Sequence, residues 1–479
     1  MTTSTEPASP AVVGSEGLRA NVLGLFDSIV MAVAGSAPAY TIAASTAALV
    51  GVVGLAGPAA LLWCGIPMLG IALAFNYLNK VEANAGATYA WVGRVLHPGL
   101  GFVAGWALVV SATIFMVAGS LPAGQVTLGL FSASASNNTG LVTLVGSVWF
   151  LVMVALVIAG VRVTARAQWI MSGVEIAILV LFAILAIVHS VSHSVTTFSW
   201  SWFGFSHFNG LAGFAGGGLI AAFYYWGWDV SSNLNEETKD SKRSAGLGGV
   251  VGVFIVFALY ETFTVASNLV LTAKTAEGSG NVLANLGQAV WSGNGGKLLV
   301  IAVMLSTIAT LETTLIQVTR TLFAMSREKT LPAFLGKILP GRQTPWLATI
   351  AVAVVSLGLF IGSNYIGSVG KILTDAIDAI GIQICVYYGL AGVTVVIAFR
   401  KILFASPKNF VLMGLWPLLG AVFMFWILYE AIPNNGAVVD WFGVGGLAVG
   451  LIPLVIYWAK GSAYFKQKPT LGRVAPELD

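Results

Sequence analysis

Apolar residues run along this chain in long unbroken blocks, separated by short stretches rich in Gly, Pro, Asn and charge. Blocks can be drawn at 22–49, 57–79, 99–129, 141–160, 168–190, 210–232, 247–272, 297–323, 346–366, 372–398, 410–430 and 442–460. As a helix, a block of roughly 20 residues crosses a hydrocarbon layer of about 30 Å. None shows the alternation over about 10 residues that a membrane barrel requires. The pattern therefore predicts an all-α integral membrane protein with about 12 transmembrane helices. They form one domain over 19–460, between an N-terminal tail (1–18) and a C-terminal tail (461–479). The stretch Val81 to Arg94 is too polar to span and predicts a short interfacial helix.

Composition agrees with this reading. Hydrophobic residues make up 57%, charged residues 9%, and the mean hydropathy is +0.89, whereas about a quarter of a soluble domain is charged. Charge placement adds an orientation. With the N-terminus inside, only Lys274, Lys297 and Lys371 of the 23 lysines and arginines fall outside. That asymmetry predicts two cytoplasmic termini and an even number of spans in a cell (plasma or inner) membrane. The pI near 9.0 then reflects topology and attraction to anionic lipid, not a nucleic-acid footprint. No basic region followed by an apolar core opens the chain, so no cleaved signal peptide is expected. Cys64 and Cys385 lie inside apolar blocks and read as packing residues.

Two blocks are interrupted. Span 1 contains Ala34-Gly35-Ser36-Ala37-Pro38-Ala39-Tyr40, where proline removes a backbone donor and clashes with the preceding turn. Span 6 contains Phe223-Tyr224-Tyr225-Trp226-Gly227-Trp228-Asp229, which crowds aromatics, a glycine and a carboxylate into one segment. An ionisable group at membrane depth is costly and normally faces a cavity or a partner. Spans 1 and 6 open the two five-span halves of the chain. Breaks at corresponding positions mark a transporter site between inverted repeats. A half-helix N-terminus offers free amides and a positive dipole end to a carboxylate. The amides from Ser36 to Tyr40 are thus candidates for a substrate carboxylate, and the carbonyls of Val33 to Gly35 for an ammonium.

Three motifs carry a family resemblance: Ala85-Gly86-Ala87-Thr88-Tyr89 before span 3, Gly227-Trp228-Asp229 with Glu236-Glu237-Thr238-Lys239 at span 6, and Arg320…Met325-Ser326-Arg327 after span 8. Their order and spacing over about 250 residues resemble the amino acid–polyamine–organocation (APC) superfamily of permeases. The resemblance implies a LeuT-type 5+5 inverted repeat, spans 1–5 and 6–10, with two additional C-terminal helices. It also implies that the paired breaks bind the α-amino acid moiety. This sequence departs from the family at two places. The usual Gly-Ser-Gly-Ile-like break is Gly35-Ser36-Ala37-Pro38 here, and the proline after the acidic loop is Ser241.

The remaining chemistry is sparse. Tyr224, Tyr225, Trp226 and Trp228 exceed what one helix face displays; Trp226 is read as a gate and a tyrosine as a wall, suited to cation–π contact with an amine. Asp229 reads either as a partner for an amine or proton, or as a helix cap. Glu175 in span 5 and Glu312 in span 8 are candidate coupling carboxylates. In similar proton-coupled members a lysine occupies the Glu175 region. Thr313 and Thr314, or Ser306 and Thr307, with span 1 carbonyls offer an oxygen-only sodium site instead. Asp375 and Asp378, at i and i+3 near the outer end of span 10, form a candidate outer gate. His189 and His193 lack an evident third ligand, so no metal is expected. No nucleotide loop or nucleophile motif is visible. The expectation is a secondary transporter, not an enzyme, without cofactor, moving an amino acid or related amine, neutral or cationic. Proton symport leads; exchange and sodium symport are the alternatives, and a membrane sensor or enzyme on the same scaffold is the remote one.

Overall fold

A computed structural model describes residues 17–469 apart from 294, 366 and 433–435. Nearly all of the 1–18 tail and the end of the 461–479 tail lie outside the described residues. Among the described residues the chain is helical, with two isolated β-bridges and no strand. Ten helical runs are long and apolar enough to cross a membrane. The first, Leu25–Val81, holds spans 1 and 2, and the shorter apolar helix Gly210–Tyr224 supplies span 6. Each apolar block of the sequence thus has its helix.

Span 1 is split into Leu25–Ser36 and Pro38–Val53, and span 6 into Gly210–Tyr224 and Val230–Asn233. Span 2 is Gly57–Val81, span 3 Pro98–Gly129, span 4 Thr139–Ala159 and span 5 Val161–His193. Span 7 is Ser241–Val270, span 8 Gly295–Arg327, span 9 Trp346–Ser363 and span 10 Val369–Phe399. Spans 11 and 12 are Pro407–Ala431 and Ala437–Ala459. Span 5 starts seven residues before its apolar block because Gly160, at φ 123, is the only break after span 4.

Burial sorts the helices. The most apolar window of span 8 is 78% buried, against 28% for span 5 and 17% for span 12. Span 8 is therefore central and span 12 rims the bundle. Span 5 buries one face only, through Gln168, Ser172, Glu175, Leu179 and Phe182. Spans 1 and 7 approach closely through small residues, Gly248 and Gly252 of span 7 lying against Ser28 and Ala32 of span 1. Small residues let helices meet where lipid supplies no hydrophobic drive.

The 81–94 stretch differs from expectation. Thr88–Val95 is helical, but every residue except Arg94 is buried. It packs against spans 3 and 10, with Gly101 and Gly105 of span 3 against Gly93 and Tyr89, and a turn at Ala463–Lys466 caps it. Tyr464 stacks on Tyr89 with ring centroids 4.7 Å apart, and its hydroxyl donates to the Tyr89 carbonyl at 3.1 Å.

The side of the bundle that carries the termini is closed by charge. Arg320 donates to both oxygens of Glu237 at 2.9 and 3.1 Å, with both side chains fully buried. Arg327 grips Glu236 at 2.7 and 2.9 Å, and Glu236 also accepts the Ala85 amide at 2.8 Å. Arg94 joins Glu82 to Glu328. The start of span 1 is tied to the same place: the Val22 and Leu23 amides both donate to the Glu237 carbonyl. Removing one partner of a buried pair typically costs about 3–5 kcal/mol, because the other charge is stranded. Arg320→Met is accordingly expected to lower the apparent melting temperature in detergent more than the double replacement Arg320→Met with Glu237→Met. Equal or larger loss in the double variant would contradict this.

Candidate functional site

The two breaks lie against each other. Ala37 takes a left-handed conformation, φ 47, and its amide turns back to the Ala34 carbonyl. Pro38 then opens the second half-helix at a position where its missing N–H costs nothing. Gly227, at φ 95, turns span 6. A Cβ added at Gly35 would collide with the Gly227 carbonyl, and one added at Gly227 with the Gly35 carbonyl. Two glycines are thus required by close backbone approach.

Backbone groups freed by the first break are matched one by one. The Ala39 amide donates to Glu175 Oε1 at 2.9 Å, and the Tyr40 amide to Ser306 Oγ at 3.1 Å. Thr310 donates to the Gly35 carbonyl at 3.0 Å. The Ser36 carbonyl accepts Tyr260 Oη at 2.7 Å and Thr41 Oγ1 at 3.0 Å. Spans 5, 7 and 8 therefore hold the kink in span 1, as membrane depth demands of unwound backbone. Val33 is buried among apolar residues one turn before the break.

At the second break the aromatics part company. Tyr224 shares a 2.7 Å hydrogen bond with Thr46 of span 1, and Tyr225 donates to the Leu61 carbonyl of span 2 at 3.1 Å. Trp226 meets Phe115 of span 3 edge-on at 5.3 Å; Phe115 also meets Tyr40 at 6.0 Å. The Trp226 indole N–H donates to Tyr387 Oη at 2.6 Å. Tyr387 in turn donates to Asp229 Oδ2 at 3.2 Å. Tyr388 reaches Asp229 Oδ1 at 2.9 Å, and Gln317 Nε2 reaches Oδ2 at 2.7 Å. Asp229 is fully buried and its side chain makes no cap bond to the helix that follows. Its carboxylate ties span 6 to spans 8 and 10. Tyr40 donates to the Ala118 carbonyl at 3.1 Å.

The coupling candidates share one seam between spans 5 and 8. Gln168 donates to Glu312 Oε2 at 2.6 Å and to the Ala309 carbonyl at 2.8 Å. Gln168, Ser172 and Glu175 lie at i, i+4 and i+7 on the buried face of span 5. Gln168 Oε1, Ser172 Oγ, Glu175 Oε2 and Glu312 Oε1 are all buried without a hydrogen-bond partner. The Thr313 hydroxyl is spent on carbonyls of its own helix, those of Ala309 and Thr310. Thr314 is buried.

Asp375 and Asp378 line different cavities. Asp375 pairs with Lys371 at 2.7 Å and lines a cavity of about 220 Å³ with residues of spans 3, 9 and 12. Asp378 lines a separate cavity of about 490 Å³ between spans 1, 6, 10 and 11. Residues three apart point about 60° apart on a helix of 3.6 residues per turn, enough for span 10 to present each to a different crevice.

Comparison with known proteins follows this geometry. A family model described as amino acid permease matches residues 23–456. The methylthioribose transporter of Bacillus subtilis (strain 168) is 26% identical over 326 residues, 64% of this chain and 67% of that protein. The vacuolar cationic amino acid transporter 4 of Arabidopsis thaliana is 24% identical over 58% of this chain and 47% of its own length. The branched-chain amino acid permease BcaP of Bacillus subtilis (strain 168) is 24% identical over 58% of this chain and 61% of its own length. The matches therefore span between about half and two thirds of these relatives.

The Asp229 network carries its own test. Tyr388→Phe removes one donor from a buried carboxylate, a change worth about 1–3 kcal/mol. In a double-mutant cycle with Asp229→Asn, thermal stabilities should be clearly non-additive. Additive losses would show that the hydroxyl and the carboxylate do not depend on each other.

Proposed function

The chain belongs to the amino acid permease family of the APC superfamily, and on that premise we propose that it is a secondary transporter. It moves an amino acid or a related amine, neutral or cationic, by alternating access, in symport with protons. The observation that carries this reading is the pair of breaks packed back to back, Gly35 against Gly227, at the centre of a multi-pass helical bundle. Half-helices that meet at membrane depth can rock about a fixed site while the rest of the bundle holds. Trp226 and Phe115 form the wall nearest both breaks, and Tyr224 and Tyr225 fasten the outer half of span 6 to spans 1 and 2. The distribution of Lys and Arg supports cytoplasmic termini in the cell membrane. On that orientation the Glu237–Arg320 and Glu236–Arg327 pairs close the cytoplasmic mouth.

Protons suit the coupling role because Glu312 is buried with one oxygen satisfied by Gln168 and the other unpartnered. A bare charge there is costly, so the group carries a proton or a partner. Sodium is less well supported, since the Thr310 and Thr313 hydroxyls already serve Gly35 and span 8 itself. In liposomes holding the purified protein, an inward proton gradient should drive accumulation of a radiolabelled cargo into an empty lumen. Glu312→Gln should abolish that accumulation and spare exchange between internal and external cargo. Gradient-driven uptake that survives in Glu312→Gln rules out this residue as the proton carrier. A strict need for cargo inside identifies an exchanger, and a strict need for sodium identifies sodium symport.

A further inference from the structure

The N-terminus of a half-helix is where a cargo carboxylate would be expected, because its first amides lack helical acceptors. In the second half of span 1 those amides are fully accounted for. Pro38 has none. Ala39 gives its amide to Glu175, and Tyr40 gives its amide to Ser306. The Ala37 amide turns back to Ala34, and the Thr41 amide begins the helical ladder on Ala37. The carboxyl group held at this helix end is the protein's own. We propose that Glu175 permanently fills the carboxylate subsite, so the transported molecules are amines that lack an α-carboxylate rather than amino acids. This rests on the transporter reading above and narrows it.

Three further observations agree. Glu175 is completely buried, and its second oxygen, Oε2, has no partner, leaving an acceptor suited to an ammonium donor. A cargo carboxylate brought there would find the Ala39 and Tyr40 amides already taken. The cavity beside the second half of span 1 and the first half of span 6 also favours a cation. Asp378 and Glu430 line it, no Lys, Arg or His is among its described lining residues, and Ser45 presents it with a buried hydroxyl without a partner. Ser45 lies two helical turns beyond Pro38 on the same half-helix. Asp229, by contrast, is saturated by Gln317, Tyr387 and Tyr388. It has little acceptor capacity left for a ligand.

The test compares molecules that differ only by the carboxyl group. Proteoliposomes of the full chain are assayed for uptake of putrescine against ornithine, agmatine against arginine, isobutylamine against valine, and tyramine against tyrosine. In at least one pair the amine should exceed its parent amino acid at least tenfold in kcat/KM. Glu175→Ala frees the Ala39 amide, so it should shift that ratio at least tenfold toward the amino acid. A wild-type protein that prefers the amino acid in every pair overturns the proposal and leaves the transporter reading standing. An unchanged ratio in a folded Glu175→Ala variant also overturns it. Transport of none of the eight compounds would remove the amine and amino acid reading itself, and this proposal with it.

Discussion

Backbone at membrane depth has no water to bond, and this single constraint organises the bundle. Two helices are opened at Ala37 and Gly227, and every group so released must find a partner within the protein. Spans 5, 7 and 8 are placed by that need as much as by apolar packing. Glu175, Ser306, Thr310 and Tyr260 are polar residues in otherwise apolar helices, and each reaches the first break. At the second break Asp229 gathers Gln317, Tyr387 and Tyr388 around itself. The site is thus a meeting of exposed backbone with a few fixed polar side chains.

The architecture was legible in the sequence because its signals are local. Apolar length, the Gly35–Pro38 interruption and the Trp226–Asp229 cluster each lie within a few consecutive residues. The partners were not legible, because pairing across helices leaves no local trace. Gln317 lies among Thr313, Thr314, Thr319 and Thr321 in span 8, so nothing local singled it out as the partner of Asp229. Tyr387-Tyr388 gave no signal either, since paired aromatics in a membrane helix read as packing. Gln168 lies at the margin of its apolar block, where a polar residue looks interfacial. The spacing of Asp375 and Asp378 gave their shared helix but not the two crevices that span 10 stands between.

The same bonds that hold the site also limit its motion. Span 6 is tied at its break to spans 8 and 10, and below it Glu237 and Glu236 are tied to Arg320 and Arg327 on span 8. A rearrangement that opens the side of the termini must either break these contacts or carry both helices together. Buried pairs are costly to separate singly, so movement as a block is the cheaper course. Spans 1 and 6 are likewise linked by Tyr224 and Thr46 on the far side.

The turn around Tyr464 extends this linkage further. Tyr464 rests on Tyr89, and Gly93 and Gly101 leave space for its hydroxyl. The segment bearing Tyr89 is joined through Ala85 to Glu236 and Asn233. Leu23, near the first described residue, bridges to Thr238 in the same assembly. The segments around Leu23 and Tyr464 are therefore both clasped to the structure that closes one mouth of the bundle. They form part of the latch mechanically, and a load applied to either segment would be felt where the path is shut.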